Sequence, residues 1–405
     1  AGREHPTSMS STTIELKLYP EAHRKHVVDF FKDGEGSMLY WITRYLAVSG
    51  MYWGLTALDI MHMLTKEGVR HTPLVEGAES EAEGESAADT PFAQEDVVSF
   101  VMSCYQTVPL ETGVGGGFGG APKHDVHTLY TMSALQLLAL YDSLDVLDVA
   151  EAEGGKTKRQ SIIDWVCSLQ LSDGSFSGDA SGECDSRLTY TSLAILGILG
   201  VDMDMRRESG EGERVHIRDI VRADQVVGWL ARCQSVDGGF SVSPGDESHG
   251  GQAFVTLGAL SLLHSLSALP SPTLASLWLA QRQMPFVGGF NGRPSKKEDV
   301  CYSWWVGASL SLLSSWGLVD GGAVARFILR CQDTEDGGIA DRPENRADAY
   351  HTMFGVAALS LIKSSGTADA DTASLHVRPV SPAYCMPVHV CERLGLTWQV
   401  LDLDL

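Results

Sequence analysis

Apolar residues run through this chain in blocks, and the blocks recur. "HTLYTMSALQLLAL", "LTYTSLAILGIL", "QAFVTLGALSLL", "YSWWVGASLSLL" and "HTMFGVAALSLI" are apolar nearly all round, the pattern of helices covered on every side. Ahead of them stand more amphipathic segments such as "ADQVVGWLARCQ" and "AVARFILRCQ". A glycine-rich turn joins the two kinds, and the apolar residue after its glycines is Phe118, Phe176, Phe240, Phe290 or Ile339. The steps between these residues are 58, 64, 50 and 49, so the base period is near 50, with inserts in the first two intervals. A fixed period of this size marks a repeat architecture in which each unit buries its apolar face against the next. One unit reads as outer helix, glycine turn, inner helix. "MLYWITRYLAVSGMYWGLTALDIMHML" supplies a sixth pair without the glycine signature. The expectation is an all-α fold, an α/α barrel (toroid) of about six helix pairs around a central apolar cavity. An open α-solenoid is the alternative, and strands have no obvious place. Aligning the inner helices by their apolar cores puts His127, Arg187, Gln252, Tyr302 and His351 at one shared position, so that polar residues gather at one mouth of the ring.

Composition narrows the partners. The net charge of −22 argues against nucleic acid, which needs basic surface. Part of that charge lies in residues 76–96, an acidic insert without Lys or Arg; a second insert falls at about 204–216. The polar residues 1–13 have no apolar core, so they read as a disordered segment and not as a signal peptide, with the barrel domain over 14–405. No apolar run is long enough to span a membrane. Eight cysteines in 405 residues, with no CxxC pair, do not make a disulfide scaffold, so a reduced, cytoplasmic setting is expected.

The candidate chemistry sits at the starts of the inner helices. Asp299 and Cys301 open one of them, in "KKEDVCYSWWV", and His351 opens the next. Residues two apart do not share a helix face, but in a first turn that is not yet helical they can converge. Oxygen, sulfur and nitrogen from three residues make a zinc set with an open fourth position. Blander readings stand beside it: Asp299 as a helix cap, Cys301 as a small buried hydrophobe and His351 as a structural histidine. Arg293 and Lys296 in the turn before, His249 at the preceding inner helix and Tyr302 beside the thiol would suit an anionic leaving group such as diphosphate. Tyr52, Trp53, Tyr190, Trp304 and Trp305 would suit a long apolar chain, or plain core packing.

With "SGMYWGLTALDIM", "DGSFSGDASGECDSR", "ESHGGQ", "GGFNGRPSKKEDVCYSWW", "GGIADRP", "YHTMFGVAALSL" and "VRPVSPAYCMP", the chain resembles the β subunits of protein prenyltransferases, and among them those of the type II, Rab-directed geranylgeranyltransferases. That resemblance implies zinc on Asp299, Cys301 and His351, and diphosphate on His249, Arg293, Lys296 and Tyr302. It implies Mg²⁺ at Asp341, and places Arg187 in the lipid and substrate cavity. Ser49 takes the position of a bulky tryptophan at the floor of the farnesyl pocket, with Tyr52 and Met132 beside it, which leaves room for a C20 chain. Geranylgeranyl diphosphate, a helical α subunit and a Rab escort protein carrying its Rab GTPase are the implied partners. A type I or farnesyl subunit acting on CaaX proteins is the rival within the family. Asp341 speaks against type I, Ser49 against a farnesyl pocket, and the short tail against the farnesyl subunits. A terpenoid-cyclase-like barrel is the rival outside it, and its DxDD acid motif is not met by "VDMDM" or "LDLDL".

Overall fold

The computed structural model describes residues 17–32, 43–70, 91–111, 113–150, 155–209 and 214–403. Residues 1–13, and the acidic insert up to residue 90, lie outside these. Twelve helices pair off along the chain: α1 (Pro20–Lys32) with α2 (Ala47–Ile60), α3 (Gln94–Ser103) with α4 (Thr128–Leu140), α5 (Lys158–Ser168) with α6 (Ser186–Ile198), α7 (Ala223–Arg232) with α8 (Gly250–Leu262), α9 (Pro272–Ala280) with α10 (Val300–Leu312), and α11 (Gly321–Arg330) with α12 (Ala349–Ser365). The even-numbered helices are the inner ones. Each packs on the next, and α12 returns against α2. The ring is therefore closed, and the open solenoid is excluded. A short helix α13 (Val388–Leu394) lies in the C-terminal tail. The buried apolar side chains form one continuous cluster. Among the described residues, no helix is long and apolar enough to cross a membrane.

A recurrent turn builds the mouth. Nine residues after each turn's apolar residue comes an N-cap: His127, Asp185, His249, Asp299 and Asp348, each accepting from a first-turn amide. The aspartate caps among them contribute about 1 kcal/mol each. The amide that follows the cap donates into the next repeat: Thr128 to the Gly178 carbonyl (3.0 Å), Ser186 to Val242 (2.9 Å), Gly250 to Gly292 (2.7 Å) and Val300 to Asp341 (2.9 Å). Consecutive inner helices thus start at one level, laced by their backbones. The N-caps correct the expected register. Gln252, Tyr302 and His351 do share one position, three after the cap. His127 is itself a cap, and Arg187 stands two after one. Apolar cores slide past one another by a residue or two without loss of pattern, so they set the register less sharply than the caps do.

The turn glutamines carry a role that the repeat pattern did not disclose. Gln234 bonds both ways to the Ser271 backbone (2.9 and 2.8 Å), and Gln283 does the same with Asp320 (3.0 and 2.8 Å). Gln332 accepts from the Tyr19 amide (3.3 Å) and donates to the Lys17 carbonyl (3.0 Å). Each staples its turn to the entry of the next outer helix, and the last closes the outer ring onto α1. Glycine is required where these layers meet: at Gly238 (φ +94°) a Cβ would lie 2.4 Å from the Leu274 carbonyl oxygen.

Strands, unexpected from the pattern, do occur. β1 (Leu64–Thr65) pairs with β2 (Gly68–Val69), and β3 (Tyr105–Leu110) with β4 (Gly113–Phe118), both antiparallel. β4 is "GVGGGF"; its glycines carry no apolar alternation, and they admit Trp165 and Tyr105 where a Cβ would collide. The acidic stretch ends inside α3, whose first turn holds Glu95 and Asp96, where negative charge complements the helix dipole.

Asp59, near the end of α2, is buried, and its Oδ2 stands 3.8 Å from both Arg378 and His389. Burial pushes its pKa up to about 6, against the pull of Arg378. A raised carboxyl favours folding while protonated and loses that contribution as pH rises through 6, so the ionised form costs about 3 kcal/mol at neutral pH. Asp59→Asn is expected to unfold at higher temperature than the parent at pH 7.5, and the gap should narrow toward pH 4 in pH-resolved thermal unfolding.

Candidate metal centre at the barrel mouth

Asp299 caps α10: its Oδ1 accepts from the Cys301 amide at 2.8 Å, which turns the thiol toward the same point as the carboxylate. His351 lies three residues into α12, one step round the ring. The Val300–Asp341 backbone bond brings the two helix starts together. One ligand atom each from Asp299, Cys301 and His351 lie within 4.8 Å of one another, the one such group of three among the described residues. His351 Nε2 stands 3.3 Å from Asp299 Oδ1. Its Nδ1 is 2.7 Å from Asp348 Oδ2, so the cap of α12 also orients the imidazole and aims Nε2 at the other two donors. Asp348 was missed in the sequence; an acid three residues ahead of His351 at the cap position is the signal that could have found it.

The electrostatics fit a cation. Burial opposes a charge on His351, yet its bonds to Asp299, Asp348 and Cys301 outweigh this and push its pKa up to about 12. A proton there does part of what a metal ion would do for the surrounding acceptors. Burial pushes the Cys301 thiol up to about 11 against the pull of His351, so it needs a stronger cation than imidazolium to ionise. For Asp299, burial works to raise the carboxyl, but bonds from His351 and Cys301 leave it below the usual range. A mixed O, S, N set with three protein donors suits a borderline metal with an open position. Asp348→Asn keeps the cap but weakens the imidazole's support. It is expected to lower metal affinity about 10- to 100-fold, measured by competition with a chelator.

One step back round the ring, His249 Nε2 meets the Tyr302 hydroxyl at 3.1 Å. Burial and the nearby Arg293 hold the His249 imidazole below its ordinary pKa, and burial pushes the Tyr302 phenol up to about 12. Arg293 is held by Glu247, an acid the sequence reading did not include. Lys296 stands exposed in the same turn. Asp341 is engaged by Arg342 at 3.0 Å and Asn345 at 2.7 Å. Arg187 sits on the rim, its guanidinium on Asp185 and Glu183.

Below the mouth, aromatic rings link neighbouring inner helices in sequence. Tyr190 meets Phe254 at 5.2 Å, Phe254 meets Trp305 at 5.1 Å, and Trp305 meets Phe354 at 4.4 Å. Tyr350 joins Phe354 at 4.7 Å and Trp53 at 5.1 Å, which carries the chain from α6 round to α2. Trp305 lies four after Cys301, on the same helix face. Trp304, one residue round, is fully buried in the wall. Ser49, Tyr52 and Met132 are buried on α2 and α4, and Ser49 Oγ meets Ser133 Oγ at 3.1 Å. Helix α4 is three steps from α10, directly across the ring.

A closed α/α ring with a mixed oxygen, sulfur and nitrogen donor set at its mouth and an aromatic wall beneath defines a class, and comparison supplies it. Residues 18–386 match the family model of the prenyltransferase alpha-alpha toroid domain, and the chain belongs to that family. Within it, the chain is 37% identical over 326 residues to the geranylgeranyl transferase type-2 subunit beta of Saccharomyces cerevisiae, covering 80% of this chain and 82% of that one. The type-2 subunit beta of Candida albicans is 37% identical over 315 residues, 77% of this chain and 78% of that one. A farnesyltransferase subunit beta from Schizosaccharomyces pombe matches over only 39% of this chain and 37% of its own, at 39% identity. Among solved structures, Candida albicans protein geranylgeranyltransferase-I complexed with GGPP has the same fold, with a TM-score of 0.67 and 18% identity over 94% of this chain and 98% of that one.

Proposed function

We propose that this chain is the catalytic β subunit of a type II protein geranylgeranyltransferase, which moves the C20 group of geranylgeranyl diphosphate onto C-terminal cysteine thiols of Rab GTPases. The observation that carries this reading is the meeting of Asp299, Cys301 and His351 at the mouth of an aromatic-walled ring. The long match to type-2 subunits beta supports it. Zinc is the ion that fits this donor set; bound there, it would offer a fourth position to the substrate thiol and hold it as thiolate.

The remaining work falls to the chain's own groups. His351 is kept in the ligating orientation by Asp348. Sulfur of the substrate forms a bond to C1 of the lipid as the C1–O bond breaks, and diphosphate leaves with the electron pair. Negative charge therefore grows on the diphosphate oxygens. His249 and Tyr302 sit side by side to donate to them, and Arg293 and Lys296 supply fixed charge once Glu247 yields Arg293. Mg²⁺, an ion of oxygen donors, would enter at the Asp341 carboxylate after Arg342 swings off it. Trp53, Tyr190, Trp305 and Phe354 exclude water from the isoprenoid. Tyr302→Phe is expected to reduce kcat about 100- to 1,000-fold with little change in KM for the Rab substrate, measured by steady-state prenylation.

The wider reading includes a heterodimer with an α subunit, and a Rab presented by its escort protein. Its test is prenylation by the chain copurified with an α subunit. Transfer of C20 to escort-bound Rab, and none to a CaaX peptide, is the expected result. Transfer to the CaaX peptide alone would replace it with a type I or farnesyl assignment.

A further inference from the structure

All five glycine turns close with the same backbone bond. The residue after the turn's apolar residue donates to the end of the preceding outer helix: Gly119 to Cys104 (3.0 Å), Ser177 to Leu169 (3.1 Å), Ser241 to Cys233 (3.1 Å), Asn291 to Arg282 (2.9 Å) and Ala340 to Cys331 (2.9 Å). Four of these pairs join small or apolar residues. The pair Asn291–Arg282 is large and polar, and both side chains are buried. It stands at the turn that leads into Arg293, Lys296 and Asp299. The serines at the matching position bond close to home. Ser177 Oγ donates to the Leu169 carbonyl (3.3 Å), and Ser241 Oγ to Cys233 (3.1 Å) and Ser243 (2.7 Å). Asn291 reaches further: its Nδ2 donates to the Lys296 carbonyl at 3.0 Å and also meets Met284 Sδ at 3.1 Å.

That bond spans a segment tied to every group assigned to diphosphate. Within it, the Lys296 amide donates to the Arg293 carbonyl (3.3 Å), with Pro294 at the first corner and Ser295 left-handed, at φ 65°, at the second. A left-handed serine persists only where its surroundings fix it. The Asp299 amide donates to Phe290 (3.0 Å) and closes the far side. Gly292 packs against the ring of Tyr302, where a Cβ would come within 2.3 Å of Cζ. Its carbonyl accepts from the amide of Gly250 (2.7 Å), the residue after His249. The segment therefore carries Arg293 and Lys296, touches Tyr302 and is bonded beside His249.

Stability does not account for the choice of residues. Asn291 Oδ1 and Arg282 Nη1 are buried without partners among the described residues. A buried donor or acceptor left unmet is destabilising. Ser241 and Cys233 make the same backbone bond with the serine hydroxyl satisfied. Local violations of this kind concentrate at functional sites. We propose that Asn291 is a positioning residue of the transfer reaction. Its bond to the Lys296 carbonyl fixes the segment 292–296, so that Arg293 and Lys296 are placed for the oxygens on which charge develops. This deepens the reading of the chain as a geranylgeranyltransferase subunit and rests on it. Fixed cations stabilise developing charge only when they are in place before the reaction. A displacement of about 1 Å can lower the rate about 100-fold.

Asn291→Ser installs the residue that two other turns of this chain carry, and it shortens the side chain so that the Lys296 carbonyl is out of reach. The heterodimer is compared as parent, Asn291→Ser, Lys296→Ala and the double variant. The readouts are kcat/KM for geranylgeranyl diphosphate, inhibition by inorganic diphosphate, and metal content. Asn291→Ser is expected to lower kcat/KM by up to about 100-fold and to weaken inhibition by diphosphate, with metal content unchanged. In the Lys296→Ala background the same substitution should lose at least about threefold less, because the bond acts through that residue. Should the serine variant not fold, Asn291→Asp keeps the shape, removes the donor and carries the same comparison. Losses that simply multiply in the double variant, or unchanged inhibition by diphosphate, would overturn the positioning role and leave Asn291 a packing residue. Failure of the parent heterodimer to transfer C20 at all would instead overturn the functional reading on which that role rests.

Discussion

Cys301→Ala is expected to strip the metal from the heterodimer and abolish lipid transfer. Zinc-binding peptides with four ligands gain about 10–16 kcal/mol, so one ligand is worth about 3 kcal/mol, or about a hundredfold in affinity. The two donors that remain have competing partners: Asp299 Oδ1 already caps the Cys301 amide, and His351 can turn to a proton shared with Asp299 and Asp348. The alanine fits the first turn of α10, because the cap is made by Asp299 and not by the thiol. A folded variant without metal is therefore anticipated, with a helical spectrum like the parent's. Metal content per heterodimer after gel filtration and prenylation of escort-bound Rab are the measurements. Full metal content in the variant would break the ligand assignment.

Ser49→Trp is expected to turn the lipid preference from C20 toward C15. Ser49 is buried on α2 facing α4, with its hydroxyl on Ser133. An indole there would take the space of the last isoprene unit and lose the Ser133 bond. Farnesyl diphosphate, one unit shorter, would still reach the metal from the opposite wall. One misplaced methylene in an apolar pocket changes discrimination about 10- to 200-fold, and a whole isoprene unit should reach the upper end. Competition between C15 and C20 diphosphates reads it directly. An unmoved ratio would mean that Ser49 is not on the lipid path.

Much of this molecule was legible in its sequence because the repeat spells out both layers. Glycine turns of fixed design, inner segments apolar all round and outer segments apolar on one side leave a ring or a solenoid as the solutions. The chemistry of the mouth was partly legible too. Asp299, Cys301 and His351 stand at helix starts in consecutive repeats, and caps recur nine residues after each turn's apolar residue. The stretch "GVGGGF" hid its strand, since glycine carries no hydrophobic period to read. Asp348 escaped because an acid ahead of a helix is most often a cap alone, and here it is a cap that also holds a histidine.

The repeat, its two kinds of helix and the standing of Asp299, Cys301 and His351 at helix starts are properties of local pattern, and the sequence alone determined them, while the register of the five helix starts came only with the caps. Closure of α12 on α2, the meeting of Arg293 with Glu247, and the tail carbonyls that seize Tyr52, Gln136 and Tyr190 are contacts between residues distant along the chain. Such contacts depend on the curvature summed over all the repeats. A small rotation per unit decides whether the ring shuts and which far residues face one another, and no single stretch of sequence encodes that sum.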